Sequence, residues 1–149
     1  PTLASDRSGI TIDFDAMVLK IERLGEDADY LLIEGVGGLL TPVTWEWNMV
    51  DVARALSASA LVVAVDRLGS ISQTLLTLSA LELAGVPCAG VVLTTPEPAD
   101  QSTGSNAAAI ARLSGLDRVV ATPRTAYPDR SEGMRTATGW LGRVGAGVG

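Results

Sequence analysis

The sequence predicts an α/β fold built on a doubly wound, mostly parallel sheet, and three observations predict it. Helix-spaced and strand-like apolar runs alternate along the chain. The strand-like runs are separated by helical stretches of about ten residues or more, the length a parallel pair needs for its right-handed crossover. The core-forming residues are aliphatic: 47% of the chain is hydrophobic but only 4% is aromatic, the composition of a buried parallel sheet flanked by helices.

The elements follow in order. Phe14, Met17, Val18, Ile21 and Leu24 recur at helical spacing, with Asp13 as cap and Gly25 as stop. Tyr30 to Ile33 reads as a short apolar strand running into Glu34, followed by a turn-rich loop with Gly35, Gly37, Gly38 and Pro42. Asn48 caps a second helix through Leu56, and Ala60 to Val65 reads as a buried strand ending at Asp66. Gly69 and Ser70 open a leucine-rich helix to Leu83, closed by Gly85, and Cys88 to Leu93 is a third strand. After a polar loop with Pro96 and Pro98, Ser105 to Leu113 is a helix stopped by Gly115, and Arg118 to Ala121 is a last short strand. Residues 1–149 form a single, partial α/β domain in which 123–149 is an irregular carboxyl-terminal segment. That segment holds four arginines and reads as loop, with one helix expected near Trp140 and a frayed end expected at Gly145–Gly149.

Composition excludes several functions. At 149 residues and 19% charge, with mean hydropathy +0.31, the chain is one folded domain and not a disordered one. Net charge is −6 with no basic patch, which disfavours nucleic acid and anionic membranes as partners. No apolar run approaches the roughly 18 to 20 residues of a membrane span; the longest, Ala55 to Val65, carries Ser57 and Ser59. The first residues show neither a basic start nor an apolar signal core, and the lone Cys88 suits a reducing, cytoplasmic setting. With no histidine and one cysteine, a zinc site of the usual kind and a Ser-His-Asp or Cys-His centre are excluded.

Three places can carry chemistry. In Leu31-Leu32-Ile33-Glu34-Gly35-Val36-Gly37-Gly38, a strand delivers a carboxylate to the sheet's carboxyl edge, followed by glycines that let phosphates approach the backbone. The same pattern equally fits an ordinary strand exit, a solvated Glu with turn glycines. In Asp66-Arg67-Leu68-Gly69-Ser70-Ile71-Ser72, free N–H groups at a helix start suit a carboxylate or phosphate, while Ser70 or Ser72 as a plain cap is the commoner case. The strand ends Thr94-Thr95 and Pro123-Arg124-Thr125 line a base pocket only if other features support one. Cys88 reads as core, and Trp45 and Trp47 as cover for a site or a subunit interface. A phosphate-binding loop needs G-x-x-x-x-G-K-S/T; the one lysine, Lys20, lies inside an amphipathic helix and cannot serve.

These pieces resemble a family. Tyr30-Leu-Leu-Ile-Glu-Gly-Val-Gly-Gly-Leu-Leu-Thr-Pro42 is similar to the dethiobiotin synthetase segment V-E-G-A-G-G-L-L-x-P. Arg67-Leu-Gly-Ser-Ile-Ser-Gln-Thr-Leu-Leu-Thr77 resembles its L-G-x-I-N-H-T-L-L-T, Ala89-Gly-Val-Val-Leu-Thr94 its A-G-V-V-L-N strand, and Pro1-Thr-Leu-Ala-Ser5 its P-H-L-A-A. Order and spacing agree to about residue 130. Other P-loop amidoligases share E-G-x-x-G, but in a cobyrinate synthase the Leu39 to Pro42 and Gly69 to Thr77 blocks are wrong.

The resemblance implies a partial P-loop NTPase-like fold and an ATP-dependent cyclo-ligase of biotin biosynthesis. In that family a carbamate forms on an amine of 7,8-diaminopelargonic acid from CO2, ATP phosphorylates it, and the second amine closes the ureido ring with loss of phosphate. It implies Glu34 as a Mg²⁺ ligand, Gly35, Val36 and Gly37 beside the phosphates, and Gly69, Ser70, Ile71 and Ser72 on the substrate carboxylate across a homodimer interface. The nucleotide would lie near Thr94, Thr95, Pro123, Arg124, Thr125 and Asp129.

Thr94 stands where the family has an adenine-reading Asn, and Thr lacks the paired donor and acceptor of an amide. Ser72 and Gln73 replace an Asn and a His. The family's phosphate loop, catalytic lysine and second magnesium acid are expected to precede Pro1. No catalytic residue is therefore expected in this chain, which reads as a carboxyl-terminal portion inactive alone. The alternative is a non-catalytic dimerising module derived from the same fold.

Overall fold

The protein's structure, a computed structural model, describes residues 1–122. The described residues divide into two compact units, one of residues 1–60 and 80–87, the other of 61–79 and 88–122.

In the first unit, α1 (Thr2–Ser8) was not legible in the sequence; it is short and exposes Leu3. Gly9 ends it, with the Ile10 N–H bonding Ser5 O at 3.1 Å and the Gly9 N–H bonding Asp6 O, and buried Thr2 donates to Pro42 O at 3.0 Å. Helix α2 (Phe14–Gly25) starts where expected, its first turn capped by the Asp13 carboxylate accepting from the Ala16 N–H at 3.0 Å. Phe14 stacks on Trp47 with ring centroids 5.1 Å apart. Residues 42–48 turn back through an antiparallel bridge between Pro42 and Asn48, stabilised by the Trp47 carbonyl accepting from Val43 and Thr44. Asn48 then opens α3 (Met49–Ala55) with a full capping box: it accepts from Val50 and Asp51, and Asp51 Oδ2 accepts from the Asn48 N–H at 2.9 Å. Val43, Val50, Val52, Leu81 and Val86 are this unit's buried apolar residues.

One expectation fails here. Residues 30–34 form no strand. Among the described residues no backbone N–H or C=O from 30 to 37 finds a partner, and Tyr30 and Leu32 are 80% and 86% exposed. An apolar run becomes a strand only when a neighbour satisfies its backbone groups, and the described sheet supplies none at this segment.

The second unit carries the sheet. β1 (Ala60–Val65, its first residue belonging to the other unit), β2 (Cys88–Thr94) and β3 (Val119–Thr122) lie in the order β1-β2-β3. β2 and β3 are parallel with Val91 opposite Val119 and Thr94 opposite Thr122, and the Asp66 N–H reaches Thr94 O at 2.8 Å. α4 (Ser70–Ala84) joins β1 to β2, and α5 (Asn106–Ser114), ended by Gly115, joins β2 to β3 and packs on β3. Val62, Val91, Leu93 and Ile110 fill the core, the last three with no exposed surface. The parallel α/β class expected from alternating runs is thus what forms, and its strands deliver residues 66, 95 and 122 to one carboxyl edge.

Candidate functional site

The loop after residue 33 presents Glu34 as an exposed carboxylate without hydrogen bond or ion pair among the described residues. Gly37 sits at φ +82°, and a Cβ there would meet Thr41 Oγ1 at 2.6 Å, so this turn demands glycine. No cluster of three or more metal-ligating side chains occurs among the described residues. Glu34 alone still suits Mg²⁺, which holds most of its waters and binds through one or two carboxylates plus phosphate oxygens.

The second candidate stands at the sheet's carboxyl edge. Arg67 and Leu68 leave β1, Gly69 turns at φ +92°, and α4 begins. Its first turn is unequal in what it offers. The Ser70 N–H is donated to Arg67 O at 3.0 Å and the Gln73 N–H to Gly69 O at 3.1 Å. The N–H groups of Gly69, Ile71 and Ser72 have no acceptor among the described residues. Ser70 is 2% exposed and its hydroxyl, like that of Thr74 one turn on, has no partner among the described residues; Ser72 is exposed. N–H groups left without an acceptor among the described residues, at the start of a 15-residue helix, are of the kind that suits an anion. Ser70 does not cap the helix with its side chain, and what remains accessible is backbone and the Ser72 hydroxyl.

Thr94 and Thr95 end β2 beside that turn. The Thr94 hydroxyl donates to Ala64 O at 3.3 Å and the Thr95 hydroxyl to Thr122 O at 3.0 Å. The Thr95 bond is within the ordinary O–H···O range and the Thr94 one is longer and weaker, so Thr95 above all has a lone pair to offer. Pro123, Arg124, Thr125, Asp129 and the helix expected near Trp140 lie outside the described residues. Cys88 is half-buried and donates weakly to Gly90 O, and burial pushes its thiol up.

Sequence reasoning missed the residues that hold this edge together. Asp66, 1% exposed, accepts from the Gly104 N–H at 2.8 Å and from Asn106 Nδ2 at 2.7 Å. Its carbonyl accepts from Thr103 Oγ1 at 2.9 Å. Asp100 Oδ2 accepts from the Leu68 N–H at 2.7 Å, and its Oδ1 from Ser102 and Thr103. The Leu68 N–H, then the Ser102 hydroxyl and N–H, hold the Asp100 carboxyl well below the usual carboxylate range. The spacing Asp100-x-Ser-Thr was a readable turn signal; its partner, 32 residues earlier at Leu68, was not.

A family model described as an AAA domain matches residues 1–129. An ATP-dependent dethiobiotin synthetase of Anaeromyxobacter sp. (strain Fw109-5) is 39% identical, the match covering 78% of this chain and 53% of that one. The enzyme of the same name from Rhodococcus jostii (strain RHA1) is 38% identical over 83% of this chain and 54% of its own. That of Rhodopirellula baltica is 32% identical over 86% and 54%. Sheet, crossover helices and matched model define an AAA-type α/β domain of the P-loop NTPase-like class. Within that class the chain belongs to the dethiobiotin synthetase family. It spans about half the length of the curated relatives it matches. No helix among the described residues is long and apolar enough to cross a membrane.

Proposed function

We propose that these residues serve an ATP-dependent dethiobiotin synthetase, a cytoplasmic cyclo-ligase acting on 7,8-diaminopelargonic acid, CO2 and ATP. The observation that carries the proposal is the start of α4, where the N–H groups of Gly69, Ile71 and Ser72, at the carboxyl edge of a parallel sheet, have no acceptor among the described residues. A carboxylate placed there gains charge-assisted hydrogen bonds and the helix dipole, and it orients the two amines at the far end of the substrate for ring closure.

Glu34, free of any partner among the described residues, would hold Mg²⁺, and Gly35 to Gly37 would run beside the phosphates. The metal and ATP supply an activated carbamate phosphate and charge neutralisation at the transferred group. Thr94, Thr95, Pro123 to Thr125 and Asp129 would border the base. A homodimer would set the helix start of one subunit against the site of the other.

The 149 residues contain no G-x-x-x-x-G-K-S/T run. By themselves, mixed with diaminopelargonate, bicarbonate, Mg²⁺ and ATP, they should form no dethiobiotin. Joined to the uncovered half of the Rhodococcus relative, they should form it, and Glu34→Ala should lower that rate by about a hundredfold or more. A joined protein that folds, binds ATP and makes no dethiobiotin would refute the ligase proposal.

A further inference from the structure

We propose that Asp66 and Asp100 are positioning residues that set the start of α4 through the loop following β2. Packing does not hold the turn that precedes α4. Leu68 is 83% exposed, Gly69 is exposed, and a Cβ built on Gly69 meets nothing within 4 Å. Hydrogen bonds hold it instead, and most reach across from residues 100–106. The Leu68 N–H is gripped by Asp100 Oδ2 at 2.7 Å, one residue before the glycine whose φ sets the helix direction. The Arg67 carbonyl, which accepts the Ser70 N–H, also accepts from Asn106 Nδ2 at 3.5 Å. Asp66 locks the base of the turn by spending both carboxylate oxygens on Gly104 and Asn106 and its carbonyl on Thr103.

Asp66 and Asn106 are 1% and 2% exposed, so the bond between them is made where water does not compete. The loop that leaves Thr94 and Thr95 is therefore one hydrogen-bonded body with the turn that aims the Gly69, Ile71 and Ser72 N–H groups. The functional half of this inference, that the aim serves a carboxylate, rests on the ligase proposal above.

The test uses the ¹⁵N-labelled 149-residue chain, with 7,8-diaminopelargonate as the probe. Asp100→Asn, a change at an exposed side chain, should exchange the Leu68 N–H about tenfold faster, the difference between a charged and a neutral acceptor. It should also move the Ile71 and Ser72 amide resonances, leave those of β2 and β3 in place, and weaken the probe severalfold. Asp66→Asn should do the same more strongly by setting an amide against Asn106, and adding Asn106→Asp should recover part of the loss by reversing that pair. Should Asp66→Asn fail to fold, Asp100→Asn decides alone. Resonance changes confined to residues 100–106, with Leu68 exchange unaltered, would overturn the positioning role. Should the wild-type Ile71 and Ser72 amides ignore the probe while Asp100→Asn still shifts them, the positioning role stands and the carboxylate assignment falls.

Discussion

Two adjacent glycines in the loop after Glu34 should respond to the same substitution with opposite sign. At Gly37 the backbone lies at φ +82°, where an L side chain costs about 1–2 kcal/mol. An added Cβ there would also sit 2.6 Å from Thr41 Oγ1, so Thr41 must move at a further cost of about 1 kcal/mol. At Gly38 the added Cβ meets nothing within 4 Å and the backbone is outside the left-handed region, so alanine there narrows the unfolded ensemble and stabilises by about 0.5 kcal/mol. Gly37→Ala should thus destabilise by about 2–3 kcal/mol. At a urea slope of about 2 kcal/mol per molar, that lowers the midpoint by roughly 1 M or more. Fluorescence of Trp45 and Trp47 in a Trp140→Phe background reports the unfolding of this unit. Adding Thr41→Ala to Gly37→Ala removes the contact but not the backbone strain, and should return about 1 kcal/mol. Equal effects at the two glycines, or no recovery with Thr41→Ala, would refute the reasoning.

Other perturbations test the rest of the frame. Ile110→Ala empties a fully buried position between α5 and the sheet, and should cost about 2–5 kcal/mol in urea denaturation with an unchanged slope. Asn48→Ala deletes the acceptor of the α3 capping box and should cost about 1 kcal/mol, whereas Asp13→Ala at α2 should cost no more than that. Asp100 is held below its unfolded value of 3.8, so its contribution is fully present above that value and lost as pH falls through the folded one. The stability difference between wild type and Asp100→Asn should therefore stay flat from pH 8 to about pH 4 and shrink below it. A difference that grows on acidification would contradict the hydrogen bonds assigned to Asp100.

Local signals were the ones legible in the sequence. Asp13, Asn48 and Gly115 each mark a helix end through a bond made within a turn, and each stands at or beside the end it was read to mark. The Val- and Leu-rich runs at 60–65 and 88–94 became strands because each found a parallel neighbour, and β2 runs one residue further than read because Thr94 pairs with Thr122. Tyr30 to Ile33 has equally strand-like residues but no pairing neighbour among the described residues, so its composition misled. For the candidate site, the glycines at 37 and 69 and the helix start were readable. That Ser70 turns its hydroxyl inward, and that Asp66 meets Asn106 across 40 residues, depends on contacts distant in sequence.

The hydroxyls of Thr94 and Thr95 have a chemical consequence. A threonine ordinarily offers a partner either a proton or a lone pair, whichever is wanted. Here the Thr122 carbonyl accepts from Thr95 at 3.0 Å and the Ala64 carbonyl more weakly from Thr94 at 3.3 Å, so the end of β2 is biased toward accepting. A molecule that brings an amino group to this edge is matched; one that brings only carbonyl oxygens meets like against like.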